Sequence, residues 1–342
     1  MGKAAAARKL AAAAAYGGGG LSVLGGSLYG VLRLEAMLAR KAIGEPRDAR
    51  PPDASGWYGR GRPGPAIKVA LLGDSSAAGY GVDRVEETPG THLASGLASL
   101  AGRRVHLREF AEVGAQSRDL AAQVDRALPT DPDLAVILIG VNDITHSVMP
   151  ATSVRNLADA VHRLRDAEVQ VLVGTCPDLG TIRPIPPPLK QVGRAWSRRL
   201  AAAQSIAVVE QGGRTVSIGA MLGPEFDAAP AVFFGPDRFH PSAEGYRALA
   251  DVLLPSALAA LGFGLDAAER PEVGRGEGLR PVAAAAIEAA NTPGTELGGT
   301  EVGGSRRGVR GLWVELRHRR RHPATDTETP VESEPEDAPV EQ

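Results

Sequence analysis

Ser75 stands in Leu71-Leu72-Gly73-Asp74-Ser75-Ser76-Ala77-Ala78-Gly79-Tyr80-Gly81, where an apolar run gives way abruptly to small and polar residues. A serine hydroxyl at a strand end can attack a carbonyl carbon, provided that a base takes its proton. His240 has the best context for that base, in Phe234-Gly235-Pro236-Asp237-Arg238-Phe239-His240-Pro241-Ser242-Ala243-Glu244-Gly245-Tyr246. Asp237 precedes it by three residues, in a turn that ends at a helix start. From there its carboxylate can accept the Nδ1 proton and leave Nε2 free for the hydroxyl. Taken alone, the pair reads equally well as a turn shaped by Asp237 and followed by a Pro241-Ser242 helix opening. Asp178, in Thr175-Cys176-Pro177-Asp178 after the fourth strand, is the rival acid; Asp237 is preferred because its link to His240 is local.

Acyl transfer also needs hydrogen-bond donors for the oxyanion that develops at the carbonyl. The backbone N–H of Ser75, the N–H of Gly114 in Glu112-Val113-Gly114-Ala115-Gln116-Ser117, and the amide of Asn142 in Gly140-Val141-Asn142-Asp143 are the candidates. Removing one such donor typically costs about 2.7–4 kcal/mol of transition-state stabilisation. Glycine at 114 leaves no Cβ to block a ligand from the backbone. Asp74 and Asp143 read as organisers of their loops. His92, His106 and His162 fall within helix or strand patterns and read as structural, whereas His146 borders the Asn142 loop. Cys176 reads as a small buried hydrophobe.

These groups share one crevice only if the elements before them form a parallel sheet, whose ligands bind outside the strands' carboxyl ends. Apolar runs at 66–72, 104–110, 134–139, 169–174 and 206–209 predict strands. Amphipathic stretches at 89–101, 116–127, 152–167, 189–204, 213–221 and 242–261 predict helices. The runs at 66 and 134 are almost continuously apolar, as strands covered on both faces are. The expected fold is a three-layer α/β/α, flavodoxin-like sandwich spanning residues 66–265.

With these residues in this order, the chain resembles the SGNH hydrolases, also called the GDSL esterase and lipase family. Gly73-Asp74-Ser75 is similar to the family's nucleophile block, Gly114 to its second-block glycine, Asn142 to its third-block asparagine, and Asp237 with His240 to its closing Asp-x-x-His block. Ser76 replaces the leucine that gives the family its name, which removes no catalytic group. The resemblance covers about residues 66–262. It implies a serine hydrolase of carboxylic esters with catalytic residues Ser75, Asp237 and His240 and an oxyanion hole of Ser75, Gly114 and Asn142. Apolar stretches at 182–188 and 221–235 favour a short- to medium-chain acyl group. An O-acetyl esterase of envelope carbohydrate is an alternative, and a catalytically silent, membrane-tethered binding module is the reading from another class.

Composition narrows the rest. The net charge of −2 argues against a nucleic-acid partner, and a single cysteine excludes an intramolecular disulfide framework and a cysteine-rich metal site. No metal, nucleotide or redox cofactor is expected; "GDSSAAGYG" lacks the spacing and the lysine of a phosphate-binding loop. Residues 10–32 carry no charge and follow Lys3, Arg8 and Lys9. That length suits a membrane span of about 20 residues, so residues 1–43 read as an uncleaved signal anchor, with a flexible Gly/Ala leader as the alternative; the body is expected outside the cytoplasm, anchored or secreted, in the cell envelope. Residues 44–65, rich in Pro, Gly and charge, read as a linker. Residues 266–342 read as a disordered tail, basic over 306–322 and acidic over 323–342, although 282–290 could form a short helix.

Overall fold

A computed structural model describes residues 34, 35, 37, 38, 50–182, 185–218, 229–263, 280–292, 295–300 and 313–318. Its strands are Gly56–Tyr58 (β1), Ile67–Gly73 (β2), Val105–Glu109 (β3), Leu134–Leu138 (β4), Gln170–Gly174 (β5), Arg214–Val216 (β6), Arg280–Pro281 (β7), Thr295–Thr300 (β8) and Trp313–His318 (β9). They form one sheet in the order β1-β3-β2-β4-β5-β6-β8-β9-β7. The central run β3-β2-β4-β5-β6 is parallel. Its order is that of the flavodoxin-like doubly wound sheet, flanked by antiparallel strands on both sides.

The helices are Pro89–Ala101 (α1), Leu120–Ala127 (α2), Val141–Thr145 (α3), Pro150–Asp166 (α4), Leu189–Glu210 (α5), Pro230–Phe233 (α6), Ala243–Ala260 (α7) and Val282–Asn291 (α8). Successive strand side chains point to opposite faces. Val69 and Leu71 accordingly join a core with Leu93 and Leu97 of α1 and Leu249 and Leu253 of α7. Ala70 and Leu72 join a second core with Leu120 and Val124 of α2 and Leu157 and Val161 of α4. Each fully buried Leu or Val is worth about 1.5–3 kcal/mol, so these two cores, not any single polar contact, hold the sheet edge on which the site is built.

Four expectations change. The run 206–209 is the last part of α5, and the strand comes after it at β6, within the stretch expected to be helical. Val208 and Val209 are buried by neighbours that sequence does not show, and β6 has three residues, too few for a periodic signal. The expected linker contains β1, which pairs with β3, and Ala54 before it is buried. The expected tail is not wholly disordered: α8 forms over the anticipated helix, and β7, β8 and β9 extend the sheet, with Leu297 buried against Val209, Val282 and Ala286. The acidic stretch 323–342 lies outside the described residues. So do residues 1–33, which hold the uncharged segment; among the described residues no helix is long and apolar enough to cross a membrane. Nearby, Glu35 accepts the N–H of Leu189 at 2.8 Å and so caps α5.

Candidate active site

Strand β2 leads to α1 on one face of the sheet and its neighbour β4 leads to α4 on the other, so the chain diverges between them. This divergence opens a crevice at the strand ends. Gly73 pairs with Leu138. Its φ is +133°, and a Cβ there would lie 1.9 Å from the Leu138 carbonyl oxygen, so only glycine fits. Beyond it Asp74 donates its N–H to that carbonyl, and its own carbonyl accepts the N–H groups of Ala77 and Ala78. The resulting tight turn places Ser75, 8 % exposed, at the rim.

The second part is the turn before α7. Asp237 Oδ1 accepts the N–H groups of Phe239 and His240, both at 3.0 Å, and Oδ2 lies 2.6 Å from His240 Nδ1. A proton on Nδ1 satisfies that contact and leaves Nε2 as an acceptor, 3.1 Å from Ser75 Oγ. The imidazole packs against Tyr80 at 4.6 Å and Phe239 at 4.9 Å between ring centres. Ser75, His240 and Asp237 therefore form one continuous relay. Asp178, the other candidate acid, points elsewhere: its carboxylate accepts from Gly180 N–H and pairs with Arg198 at 2.9 Å and Arg194 at 3.5 Å.

The third part comprises the candidate donors. Asn142 stands at the start of α3, and its Nδ2 donates one hydrogen to the Ala115 carbonyl at 3.0 Å, which ties it to the loop of Gly114. The amide's second hydrogen remains for a ligand. Gly114 has φ +84°, a conformation that favours glycine, and no protein atom lies within 4 Å of where a Cβ would stand. Among the described residues the N–H groups of Ser75 and Gly114 have no acceptor. Asp143 receives Ser117 N–H and Oγ, and Asp74 receives Ser76 N–H, so both organise their loops as anticipated.

Electrostatics separate the carboxylates. Burial alone would raise the pKa of Asp237, but the hydrogen bonds from His240 and Phe239 outweigh it and hold the group below its ordinary value. Burial pushes Asp74 up to about 6 and also raises Asp143. It raises the Cys176 thiol well above its usual range, so this side chain serves as packing among Leu179, Ile182 and Leu200. Four other histidines of the described residues stand apart from the relay. His106 stacks on Trp57, His162 pairs with Asp166, His92 keeps a buried Nε2 in α1, and His146 Nδ1 contacts the Asn142 carbonyl. A cavity of about 720 Å³ lies beside the His240 turn, between Gly81, Asp83 and Glu87 on one side and Phe234, Gly235 and Arg238 on the other.

Sequence reasoning passed over Gln123 and Gln204, two buried amides at the strand ends. Both lie on the apolar stripe of a helix, Gln123 with Leu120, Val124 and Ala127, and Gln204 with Leu200, Ala201 and Val208. A polar residue in such a stripe was the available signal. Tyr246 was also missed; its buried hydroxyl donates to the Tyr80 carbonyl at 2.6 Å and braces the turn after Ser75.

A serine, a histidine and an aspartate hydrogen-bonded in sequence at the strand ends of a doubly wound sheet are able to carry out acyl transfer. The model of the GDSL-like lipase/acylhydrolase family matches residues 71–248, and the chain belongs to that family, an enzyme family of carboxylic ester hydrolases. It is 43 % identical over 244 residues to GDSL-like esterase Rv1075c of Mycobacterium tuberculosis, covering 68 % of this chain and 77 % of that protein. Among solved structures it is similar to Axe2, an acetylxylan esterase from Geobacillus stearothermophilus, with 19 % identity, a TM-score of 0.44, and coverage of 58 % of this chain and 94 % of the other. It is also similar to LAE5, an alpha/beta hydrolase enzyme from the metagenome of Lake Arreo, Spain, with 20 % identity, a TM-score of 0.45, and coverage of 57 % and 95 %.

Proposed function

We propose that the chain cleaves short- to medium-chain acyl esters through an acyl-enzyme on Ser75. The observation that carries this reading is the unbroken relay from Ser75 Oγ through His240 to Asp237. Ser75 Oγ bonds to the carbonyl carbon as its proton passes to His240 Nε2, and the imidazolium is stabilised by Asp237. The N–H groups of Ser75 and Gly114 and the amide of Asn142 receive the oxyanion. The ester C–O bond then breaks, His240 protonates the departing alkoxide, and water repeats the sequence to release the acid and restore the serine. The mostly apolar stretch 182–188 supports an apolar acyl group.

A second reading, hydrolysis of O-acetyl groups on envelope carbohydrate, is favoured by the cavity beside His240. Asp83, Glu87 and Arg238 give that cavity, which lies beside the Asp237–His240 turn, polar walls suited to hydroxyl groups. The uncharged stretch 10–32, with basic residues before it, supports a membrane tether that places the body in the cell envelope. Loss of membrane association on deleting residues 1–43 is the expected result of fractionation.

Chromogenic acyl esters of increasing chain length, beside acetylated oligosaccharides, test the choice of substrate. Activity that collapses in Ser75→Ala and His240→Ala is expected, with the preferred ester naming the acyl group. Turnover by Ser75→Ala at the parent's rate would sink the nucleophile assignment. A parent inert on every ester would instead favour the silent binding module.

A further inference from the structure

The peptide of Gly73 is where two of the proposed donor loops meet. Its carbonyl accepts the N–H of Glu112 at 3.1 Å and Nε2–H of Gln123 at 2.9 Å, and its N–H donates to Gln123 Oε1 at 2.7 Å. Glu112 precedes Gly114 by two residues, and Gly73 precedes Ser75 by two. One side-chain amide thus grips both polar groups of the residue from which the two loops diverge. Gln123 reaches it from the buried face of α2, where it is 1 % exposed. Packing alone would be met at that stripe by a leucine or a methionine, without the cost of burying an amide.

We infer that Gln123 is a positioning residue for acyl transfer: its amide fixes the separation of the Ser75 and Gly114 N–H groups, and thereby the shape of the oxyanion hole. This rests on the serine-esterase reading above. Gln204 makes the same kind of link one loop further along. It accepts Cys176 N–H at 2.8 Å and donates to the Ile139 carbonyl at 3.0 Å, three residues before Asn142. Because both amides have donor and acceptor satisfied, neither can rotate without breaking a buried hydrogen bond. The loops are therefore held in one arrangement before substrate arrives, which is what stabilisation of a developing charge requires.

The test uses the full-length protein with Gln123→Met and Gln123→Glu, active sites counted by titration with an irreversible phosphonate. Three quantities are read: kcat per titrated site, KM, and inhibition by an alkyl boronic acid that becomes tetrahedral on the serine. Gln123→Met should lower kcat about 10–100-fold with KM unchanged, since small misplacements of reacting groups cost rates of this order. Boronate affinity should fall by a similar factor. In Gln123→Glu, a neutral carboxyl can make both hydrogen bonds but a carboxylate cannot donate. Its rate relative to the parent should therefore be near the parent's at acid pH and fall as pH rises.

Unchanged kcat per site and unchanged boronate affinity, with only a lower Tm, would assign Gln123 to stability and overturn the inference. If Gln123→Met does not fold, a pH-independent ratio for Gln123→Glu overturns it equally. A parent that the phosphonate does not titrate, or a Ser75→Ala variant that keeps its rate, would be a failure of the esterase reading itself.

Discussion

Asp237 and His240 are joined twice within one turn: Oδ2 meets the imidazole Nδ1 at 2.6 Å, while Oδ1 receives the backbone N–H of His240 at 3.0 Å. The carboxylate therefore fixes the ring and the backbone that carries it. The hydrogen bonds that hold the Asp237 pKa down also keep it ionised, as a partner for imidazolium must be.

Asp237→Asn should consequently lower kcat by on the order of 10³–10⁴, because an amide in that position stabilises the wrong imidazole tautomer. Asp178→Asn should leave kcat near the parent's. It should lower stability by about 1 kcal/mol, since both arginines paired with Asp178 are nearly half exposed and their attraction is screened. Steady-state kinetics with thermal melts separates the two carboxylates, and a large kcat loss in Asp178→Asn would reverse their assignment.

Asn142→Ala is expected to reduce kcat about 10²–10³-fold with little change in KM, as for loss of one oxyanion donor. Its amide also ties Ala115 to the start of α3. A KM that rises by the same factor would mean that Asn142 binds the ground state instead.

Gly73→Ala should fail to fold or lose more than about 3 kcal/mol, because the backbone conformation is unfavourable and the new Cβ would overlap the Leu138 carbonyl. Chemical denaturation measures this directly. A variant as stable as the parent would show that the β2–β4 pairing at the nucleophile turn is looser than described.

Glu109 provides a pH test of the packing of the segment before β1. Its Oε2 accepts Ala54 N–H at 3.0 Å and its Oε1 is buried. Burial, with the nearby Asp53 charge adding to it, pushes the carboxyl from 4.5 up to about 8. The folded protein therefore holds this proton more tightly than the unfolded chain does. The stability this supplies is fully present below about 4.5 and is lost as pH rises through about 8. Asp74, raised to about 6, contributes a decline of the same sign at lower pH. In Glu109→Gln the fall in Tm between neutral and alkaline pH should be smaller than in the parent; equal slopes would contradict the assignment.

Leu297→Ala should cost about 2–5 kcal/mol as a buried large-to-small change. It should leave kcat unaltered, because β8 lies beyond β6, away from the nucleophile strand. Denaturant melts and ester turnover read the two effects. Unchanged stability would mean that β8 is not part of the sheet in solution.

The sequence by itself determined the parallel core and the chemistry-bearing residues. The six consecutive apolar residues from Leu134 to Ile139 at β4 declare burial on both faces, and Gly73-Asp74-Ser75, Gly114, Asn142 and Asp237 with His240, each ambiguous alone, acquire their meaning from their order along the chain. It did not determine where short or mixed elements lie. Four apolar residues at 206–209 are compatible with a strand or a helix end, and β1 and β6, three residues each, carry no period to read. The local link between Asp237 and His240 already favoured Asp237 as the acid, and the tertiary structure showed what Asp178 does instead, pairing with Arg194 and Arg198. Only the tertiary structure brought Gln123 of α2 to the Gly73 peptide, 50 residues away in the chain. Such contacts depend on how helices are laid against the sheet, and that packing is set by both cores at once, not by the residues adjacent to the site.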